Sequence, residues 1–285
     1  MAGTLYVVAT PIGNLEDITV RALRILREVA LIAAEDTRRT AHLLTRYGIT
    51  TPTTSLHEHN EHRKSASLIA RLQQDENVAL VSDAGTPTVS DPGQHLISDA
   101  IRSGIRVEAI PGPNAVMAAL SVSGLGADSF VFLGFPPTKA KDRKLWMERL
   151  KETRSVAVFY EAPHRIVQTL EEIRVTIGDA YAVIGRELTK AHEELVRGPI
   201  SRVLAGGLNA KGEFTVIVDI GQITDIESAT GAEETRMADL VSEFGRMTAD
   251  VSQTRRQAIS ALAKKYGLTA RQAYEAVEAA KKSGS

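Results

Sequence analysis

At 285 residues the chain is long enough for two ordinary domains and a small appendage, each with its own core. A formal net charge of -1 gives no global attraction to polyanions, and the absence of cysteine excludes disulfides, thiolate metal sites and cysteine nucleophiles. No apolar run approaches the ~18 residues of a membrane span, and the start MAGTLYVVATPIG lacks a basic leader, so a soluble cytoplasmic protein is expected.

Short β-branched or apolar runs alternate with helical patterns as far as Ile220: LYVVA (5–9), VALIAA (29–34), NVALV (77–81), IRVEAI (105–110), FVFLG (130–134), SVAVFY (155–160), YAVIG (181–185) and FTVIVDI (214–220). This alternation predicts an α/β fold with substantially parallel sheets. Between the first two runs, Ile18, Ala22, Ile25, Leu26 and Val29 share one helical face, with Asp17 as the expected cap. NAVMAALSVSGLG reads as a helix that starts after Pro113 and ends near Gly124. Trp146, among charges in KAKDRKLWMERL, is expected to pack its helix; His164 and Arg165 open another, either on the surface or lining a cleft. The expected organisation is an N-terminal α/β domain over 1–122, a second over 123–228, and a helical extension over 229–285 after the polar linker SATGAEET. In the extension Ala258, Ile259, Leu262 and Ala263 stripe one helix, Gly267 ends it, and Thr269 caps the next, striped by Ala273, Tyr274, Val277 and Ala280. The pair suits a helix-turn-helix unit that binds nucleic acid or simply a small α domain, and its Arg255, Arg256, Arg271 and Lys281 give a modest basic excess that a solvated face would also show.

In a parallel α/β sheet, ligands sit outside the carboxyl ends of the strands. TPIGNL (10–15), EDTRRT (35–40), SDAGTP (82–87) and PGPNA (111–115) each follow a predicted strand and are therefore expected to converge. TPIGNL or PGPNA alone would serve equally as turn punctuation. The stretch SDAGTPTVSDPG (82–93) is about twice as long as the two to six residues of a tight strand-to-helix turn, which points to a function. Neither G-x-x-x-x-G-K-[ST] nor G-x-G-x-x-G occurs, so the usual phosphate cradles are missing. Asp83 and Asp91 repel phosphate but suit a cation or a hydroxyl-bearing ligand, and backbone around Ala84 and Gly85 permits close approach by a nucleoside. S-adenosylmethionine, a sulfonium carrying an adenosine and an amino acid, meets these requirements. The second half of the loop reads as a lead into the next helix, with Asp91 as its cap.

LYVVATPIGNLEDIT, AAEDTR, SDAGTPTVSDPG and PGPNAV, followed in order by FYEAPHR and GRELTK, resemble the bacterial small-subunit (16S) ribosomal RNA 2′-O-ribose cytidine methyltransferases of the tetrapyrrole methylase superfamily. The resemblance covers all but the C-terminal extension. It implies two α/β domains of tetrapyrrole methylase type with S-adenosylmethionine in the inter-domain cleft, a helical extension, and commonly a homodimer. The implied reaction is methylation of a cytidine ribose in the decoding region, with small ribosomal subunit RNA as partner and no membrane. Carried onto this chain, the resemblance places cofactor contacts at Pro11, Asp83, Ala84, Gly85, Thr86, Asn114 and Ala115, and from the second domain at Tyr160, Glu161, Leu188, Gly212 and Glu213. The superfamily's commoner G-D-P loop is replaced here by S-D-A-G-T-P, which favours the ribosomal branch over the tetrapyrrole branch.

Methyl transfer depends mainly on in-line placement, yet a ribose hydroxyl is a poor nucleophile that a base or cation would assist. Glu35, Asp36 and Lys190, with Glu193 beside them, are the catalytic candidates; Glu35 or Asp36 would equally serve to hold Arg38. Arg38, Arg39, His57 and Arg63 are expected to form an RNA-contacting rim, and Arg186 to reach either a cofactor carboxylate or a substrate phosphate. His57, His59 and His62 lack H-E-x-x-H spacing, so no metal is expected there. Two other readings compete: a precorrin-type tetrapyrrole methyltransferase, which would not need the tail, and a ligand-sensing nucleic-acid-binding regulator.

Overall fold

The computed structural model describes residues 2–221 continuously and, beyond them, 243–244, 247–248, 255–266, 273–274 and 277. The chain divides into two compact units, Met1–Ile220 and Gly221–Ser285. Among the described residues no helix is long and apolar enough to cross a membrane.

The first sheet takes the elements β1 (Thr4–Val8), α1 (Val20–Glu28), β2 (Leu31–Ala34), α2 (Thr37–Arg46), β3 (Thr53–Ser55), α3 (Glu61–Gln73), β4 (Val78–Val81), α4 (Gln94–Arg102) and β5 (Arg106–Ile110). Its strands run in the order β3-β2-β4-β1-β5 with every pairing parallel. All residues of β2 and β4 are buried, as expected of parallel strands covered on both faces. Strand β3 has only three residues at the edge of the sheet, too few to register as a run. Helix α1 is capped by Thr19, which accepts from the Ala22 amide, and not by Asp17. Asp17 belongs to a preceding 3-10 turn, Leu15–Asp17, that Asn14 caps, so the chain turns once before the α-helix begins.

Helix α4 shows a second displaced cap. Its N-cap is Gly93, at φ 123°, with no side-chain bond. The amides of His95 and Leu96 instead donate to Glu61 Oε1, at 2.8 and 3.2 Å, from the start of α3. Asp91 is thereby released from the capping role that the sequence suggests. Glu61 is 4 % exposed, and two charge-assisted bonds at a helix N-terminus make it expensive to remove. Glu61→Ala is expected to destabilise the protein by about 2 kcal/mol in urea unfolding, with Glu61→Gln recovering part of the loss.

The second sheet is built from β6 (Phe130–Phe132), β7 (Val156–Glu161), β8 (Tyr181–Arg186), β9 (Glu194–Pro199) and β10 (Phe214–Asp219), in the order β6-β7-β10-β8-β9. Only β6 and β7 run parallel; β10 is antiparallel to both β7 and β8, and β9 to β8. The expectation of parallel sheets is corrected here. Every residue of β10 is buried, and a strand buried on both faces gives the same apolar run whichever way it points. Strand β9 (ELVRGP), polar and at the edge, left no such run.

Helix α5 (Ala115–Ser123) is capped by Asn114, which accepts from the Val116 and Met117 amides, and ends at Gly124 in the left-handed region. It follows β5 but packs Val116, Ala119 and Leu120 against Val156, Val158, Val183 and Ile217 of the second sheet. The expected boundary after residue 122 falls inside this helix. Helices α6 (Ala140–Glu152), α7 (Ile166–Ile177) and α8 (Ile200–Ala205) complete the unit. Trp146 packs edge-on to Phe159 at 5.1 Å and donates its indole N–H to Leu133 O at 3.1 Å.

In the second unit the helix Arg255–Tyr266 buries Ala258, Leu262 and Ala263 with Phe244, Ala273 and Val277. Glu243 accepts from Lys265 Nζ and Tyr266 Oη. The linker SATGAEET, Gly267, Thr269, Arg271, Ala280 and Lys281 lie outside the described residues.

Candidate functional site

In the first sheet the connection from β1 leaves toward β2 and that from β4 leaves toward β5, on opposite sides, which makes the adjacent ends of β1 and β4 a switch point open to a ligand. There the two loops are zipped together: Thr10 and Gly85 exchange N–H···O bonds of 2.9 and 3.0 Å. Thr88 and Ser90, at φ 72° and 67°, hold left-handed backbone without being glycine, a strain typical of ligand-holding segments.

A cavity of about 430 Å³ opens at this point. From the first sheet it is lined by Ile12, Glu35, Arg39, Asp83, Ala84, Gly85, Thr86, Val89, Ser90, Asp91, Asn114 and Ala115. From the second come Phe135, Tyr160, Glu161, Ala162, Pro163, Leu188 and the segment Gly212, Glu213, Phe214 and Thr215. The antiparallel course of β10 explains the last group: Phe214 pairs with Glu161 and with Arg186, so the start of β10 lies at the finishing ends of β7 and β8. All the predicted cofactor residues line the cavity except Pro11, which is buried just ahead of Ile12.

One end of the cavity is acidic. The Glu35 carboxylate accepts from the Asp83 amide at 3.2 Å, and the Asp83 carboxylate accepts from the Asp36 amide at 2.9 Å and pairs with Arg39 at 3.5 Å. Burial raises both carboxyls above their ordinary values against those amide bonds. Asp91 is pushed up to about 6, first by burial and then by the charge of Glu35, while a bond with Ser82 works the other way. Tyr160 is pushed up to about 12 by burial and by Asp91. Asp83 and Glu35 each hold a backbone amide, whereas Asp91 is bonded by the Ser82 side chain and carries the largest upward shift of the three.

The other end is backbone and apolar surface. Gly212, at φ 87°, has no room for a side chain: a Cβ would stand 2.5 Å from Glu187 Oε1. That same oxygen accepts from the Glu213 amide and from Lys190 Nζ, both at 2.9 Å. Lys190 also bonds Glu213 Oε2 at 2.9 Å; burial opposes its charge, but the two carboxylates raise its pKa on balance. Lys190 therefore braces the turn that carries Leu188 and is not among the cavity-lining side chains. Asp36 is absent from the lining as well. It caps α2 and grips Arg38 through Nε and Nη2, bonds that hold its carboxyl well below the usual range.

Glu161 reaches the cavity only through its backbone, since its side chain is 0 % exposed. Of the expected RNA-contacting residues, Arg39 lines the cavity and Arg38 and Arg63 are exposed. His57 Nε2 lies 3.0 Å from Asn60 Nδ2, and its Nδ1 is buried without a partner. Arg186 is turned to Glu194 at 2.8 Å and does not line the cavity. Among the described residues no cluster of three or more His, Asp or Glu is placed to hold a metal. Sequence reading names Asp91 with Asp83 as suited to a ligand but then assigns it to the cap of the next helix, and it leaves Phe135 out of the cavity. Asp91 was discernible as the second acid of an overlong loop; nothing local marks Phe135.

Residues 4–204 match the family described as Tetrapyrrole (Corrin/Porphyrin) Methylases. The Ribosomal RNA small subunit methyltransferase I of Pseudomonas aeruginosa is 48% identical over 245 residues, covering 84% of this chain and 87% of that protein. The protein of the same name from Synechocystis sp. is 43% identical over 276 residues and 96% of each chain. Among solved structures, diphthine synthase superposes with a TM-score of 0.62 at 16% identity, over 76% of this chain and 90% of that one. The uroporphyrin-III C-methyltransferase of Thermus thermophilus, complexed with S-adenosylhomocysteine, does so at 0.55 and 17%, over 78% and 100%. With the family matched over most of its length and relatives close to half identical across it, this chain belongs to the tetrapyrrole methylases.

Proposed function

We propose that the protein transfers a methyl group from S-adenosylmethionine to the ribose 2′-hydroxyl of a cytidine in small-subunit (16S) ribosomal RNA. The observation that carries this reading is the cavity with Glu35, Asp83 and Asp91 at one end, in a chain whose relatives at 43–48% identity are named for that RNA. Likeness to the uroporphyrin enzyme extends only to the fold, at 17% identity, so it does not bring a tetrapyrrole substrate with it. The same reading puts the protein in the cytoplasm, as a homodimer.

The residues fit the cofactor's chemistry. Three carboxylates around the acidic end suit a ligand that carries positive charge, and Arg39 beside them suits its carboxylate. The Gly212 to Thr215 and Ala162 to Pro163 segments present peptide groups suited to the polar edge of a base, and Leu188 an apolar contact suited to its face. When bound, S-adenosylmethionine would supply an electrophilic methyl group, its S–C bond breaking with the electron pair to sulfur so that neutral S-adenosylhomocysteine leaves. The protein's part is to hold the hydroxyl in line, exclude water and take a proton. Asp91, whose carboxyl is raised to about 6, accepts that proton from the 2′-hydroxyl as the new O–C bond forms. Glu35, Asp83 and Lys190 act as positioning residues that hold the loops.

Mass mapping of small-subunit RNA from cells with and without the protein tests the assignment. The expected result is the loss of one methyl group from the ribose of a single cytidine, restored by the gene. Unchanged RNA, or a methyl lost from a base, would reject it.

A further inference from the structure

We propose that Phe135 and the lysines that follow it, Lys139, Lys141 and Lys144, form a receiving lip for the target nucleotide, whose base stacks on Phe135 while the lysines hold the flanking phosphates. The proposal rests on the RNA reading above and adds to it where the nucleotide lands.

Single exposed apolar residues are ordinary. Phe135 is not an ordinary case, because it is 53 % exposed and yet lines the cavity, with its neighbours hydrogen-bonded on both sides. Gly134, at φ 61°, turns the chain out of β6, and its carbonyl accepts from the Tyr160 amide at 2.9 Å. Pro136 and Pro137 restrict the next two residues, and their carbonyls accept from the Arg165 guanidinium. The Phe135 ring stands 5.3 Å from Tyr160, tilted by 54°, and Tyr160 in turn meets Phe132 edge-on at 5.0 Å. One ring of this aromatic row is thus left uncovered at the cavity, fixed at little further entropic cost. A π-face held in this way is the requirement for stacking an unpaired base.

Charge decides the direction of entry. Inside the cavity Glu35, Asp83 and Asp91 repel phosphate. Four to nine residues beyond Phe135, Lys139 at the N-cap of α6 and Lys141 and Lys144 in its first turns are exposed and form no ion pair among the described residues, with the exposed Asp142 between them. Arg143, which lies between them, is by contrast spent on Glu172 and Thr169. In a chain of net charge -1 the stretch 139–144 carries three lysines and Arg143 against one acid, Asp142. Acid within and base without admits a nucleotide with its base and sugar inward and its phosphates outward. That arrangement fits a nucleotide swung out of an RNA strand and excludes one entering phosphate first.

The test uses small subunits from cells lacking the protein. Phe135→Ala is expected to lower kcat/KM for subunits by about 5- to 150-fold, the range for losing one base–aromatic stack, and to weaken subunit binding measured without methyl transfer. The affinity for S-adenosylmethionine alone, measured by calorimetry, should stay within about twofold. Phe135→Tyr should restore the loss, and Phe135→Leu, which keeps apolar bulk and secures the fold, should not. Replacing the three lysines by glutamine should flatten the log–log salt dependence of subunit binding by about 2. An unchanged subunit kcat/KM in Phe135→Ala, or an equal loss of cofactor affinity, overturns the proposal while leaving the enzyme reading intact. Failure of the unaltered protein to methylate subunits at all overturns that reading instead.

Discussion

Asp91→Asn is expected to lower kcat by about 10²- to 10⁴-fold, the span that a positioned proton acceptor contributes. Asparagine keeps the shape and the bond to Ser82 but cannot take a proton. Because burial and Glu35 push the Asp91 carboxyl up to about 6, the group is protonated and inactive below that pH. In the unaltered protein kcat/KM, which reports the ligand-free site, should rise with pH through about 6 and level off above it. The variant should lack this limb. Glu35, Asp83, Arg39 and Tyr160 surround the group, and Glu35 and Asp83 are also raised, so the limb belongs to the acidic cluster and moves when any member is neutralised. Stability gives a second readout with a fixed sign. A carboxyl whose folded pKa is raised stabilises the protein while protonated, and that contribution is lost as pH climbs from the ordinary carboxyl value, 3.8, through about 6. Ligand-free Asp91→Asn should therefore have a higher Tm than the unaltered protein at pH 7 and show no advantage at pH 4. A variant that keeps kcat and loses only cofactor affinity would assign Asp91 to binding.

Glu161→Ala is expected to cost about 3–5 kcal/mol of stability, the largest loss from any single change considered. Its carboxylate is wholly buried; it accepts from Thr169 Oγ1 and the Ala162 amide and lies 3.4 Å from Arg165 Nε. Truncation strands Arg165, 17 % exposed, without its counter-ion. For a unit of this size the Tm should fall by about 6–20 °C. Arg165 also donates to Pro136, so the loss is transmitted to the Phe135 turn as well as to the Tyr160 to Pro163 wall. Cofactor and subunit affinity should both decline even where the protein stays folded. Glu161→Gln, which keeps the bulk and an acceptor, should lose less. A cost below about 1 kcal/mol for Glu161→Ala would show that Arg165 finds another partner and that the brace is dispensable.

The contrast between Asp91 and Lys190 shows what could be read from the chain. Both lie in segments singled out by their composition, and both are reactive side chains. Lys190 is engaged by Glu187 and by Glu213, 23 residues further on, as a brace. Asp91 lines the cavity and does not cap α4, because Glu61, on a different helix, takes the cap amides. The Glu187 half of the Lys190 brace is three residues away, but the Glu213 half and the Glu61 cap come from distant parts of the chain.

By itself the sequence determined the alternation of strands and helices, the loops that converge at the strand ends, and a ligand that is not bound through phosphate. It could do so because periodicity, turn chemistry and local charge act over a few neighbouring residues. The tertiary structure alone decided that β10 runs antiparallel and brings Gly212 to Thr215 to the cavity, and that Asp91 and Phe135 line it. Those results depend on partners distant in the chain. A fully buried strand carries no mark of its direction, and a carboxylate no mark of whether a remote group has already satisfied its helix.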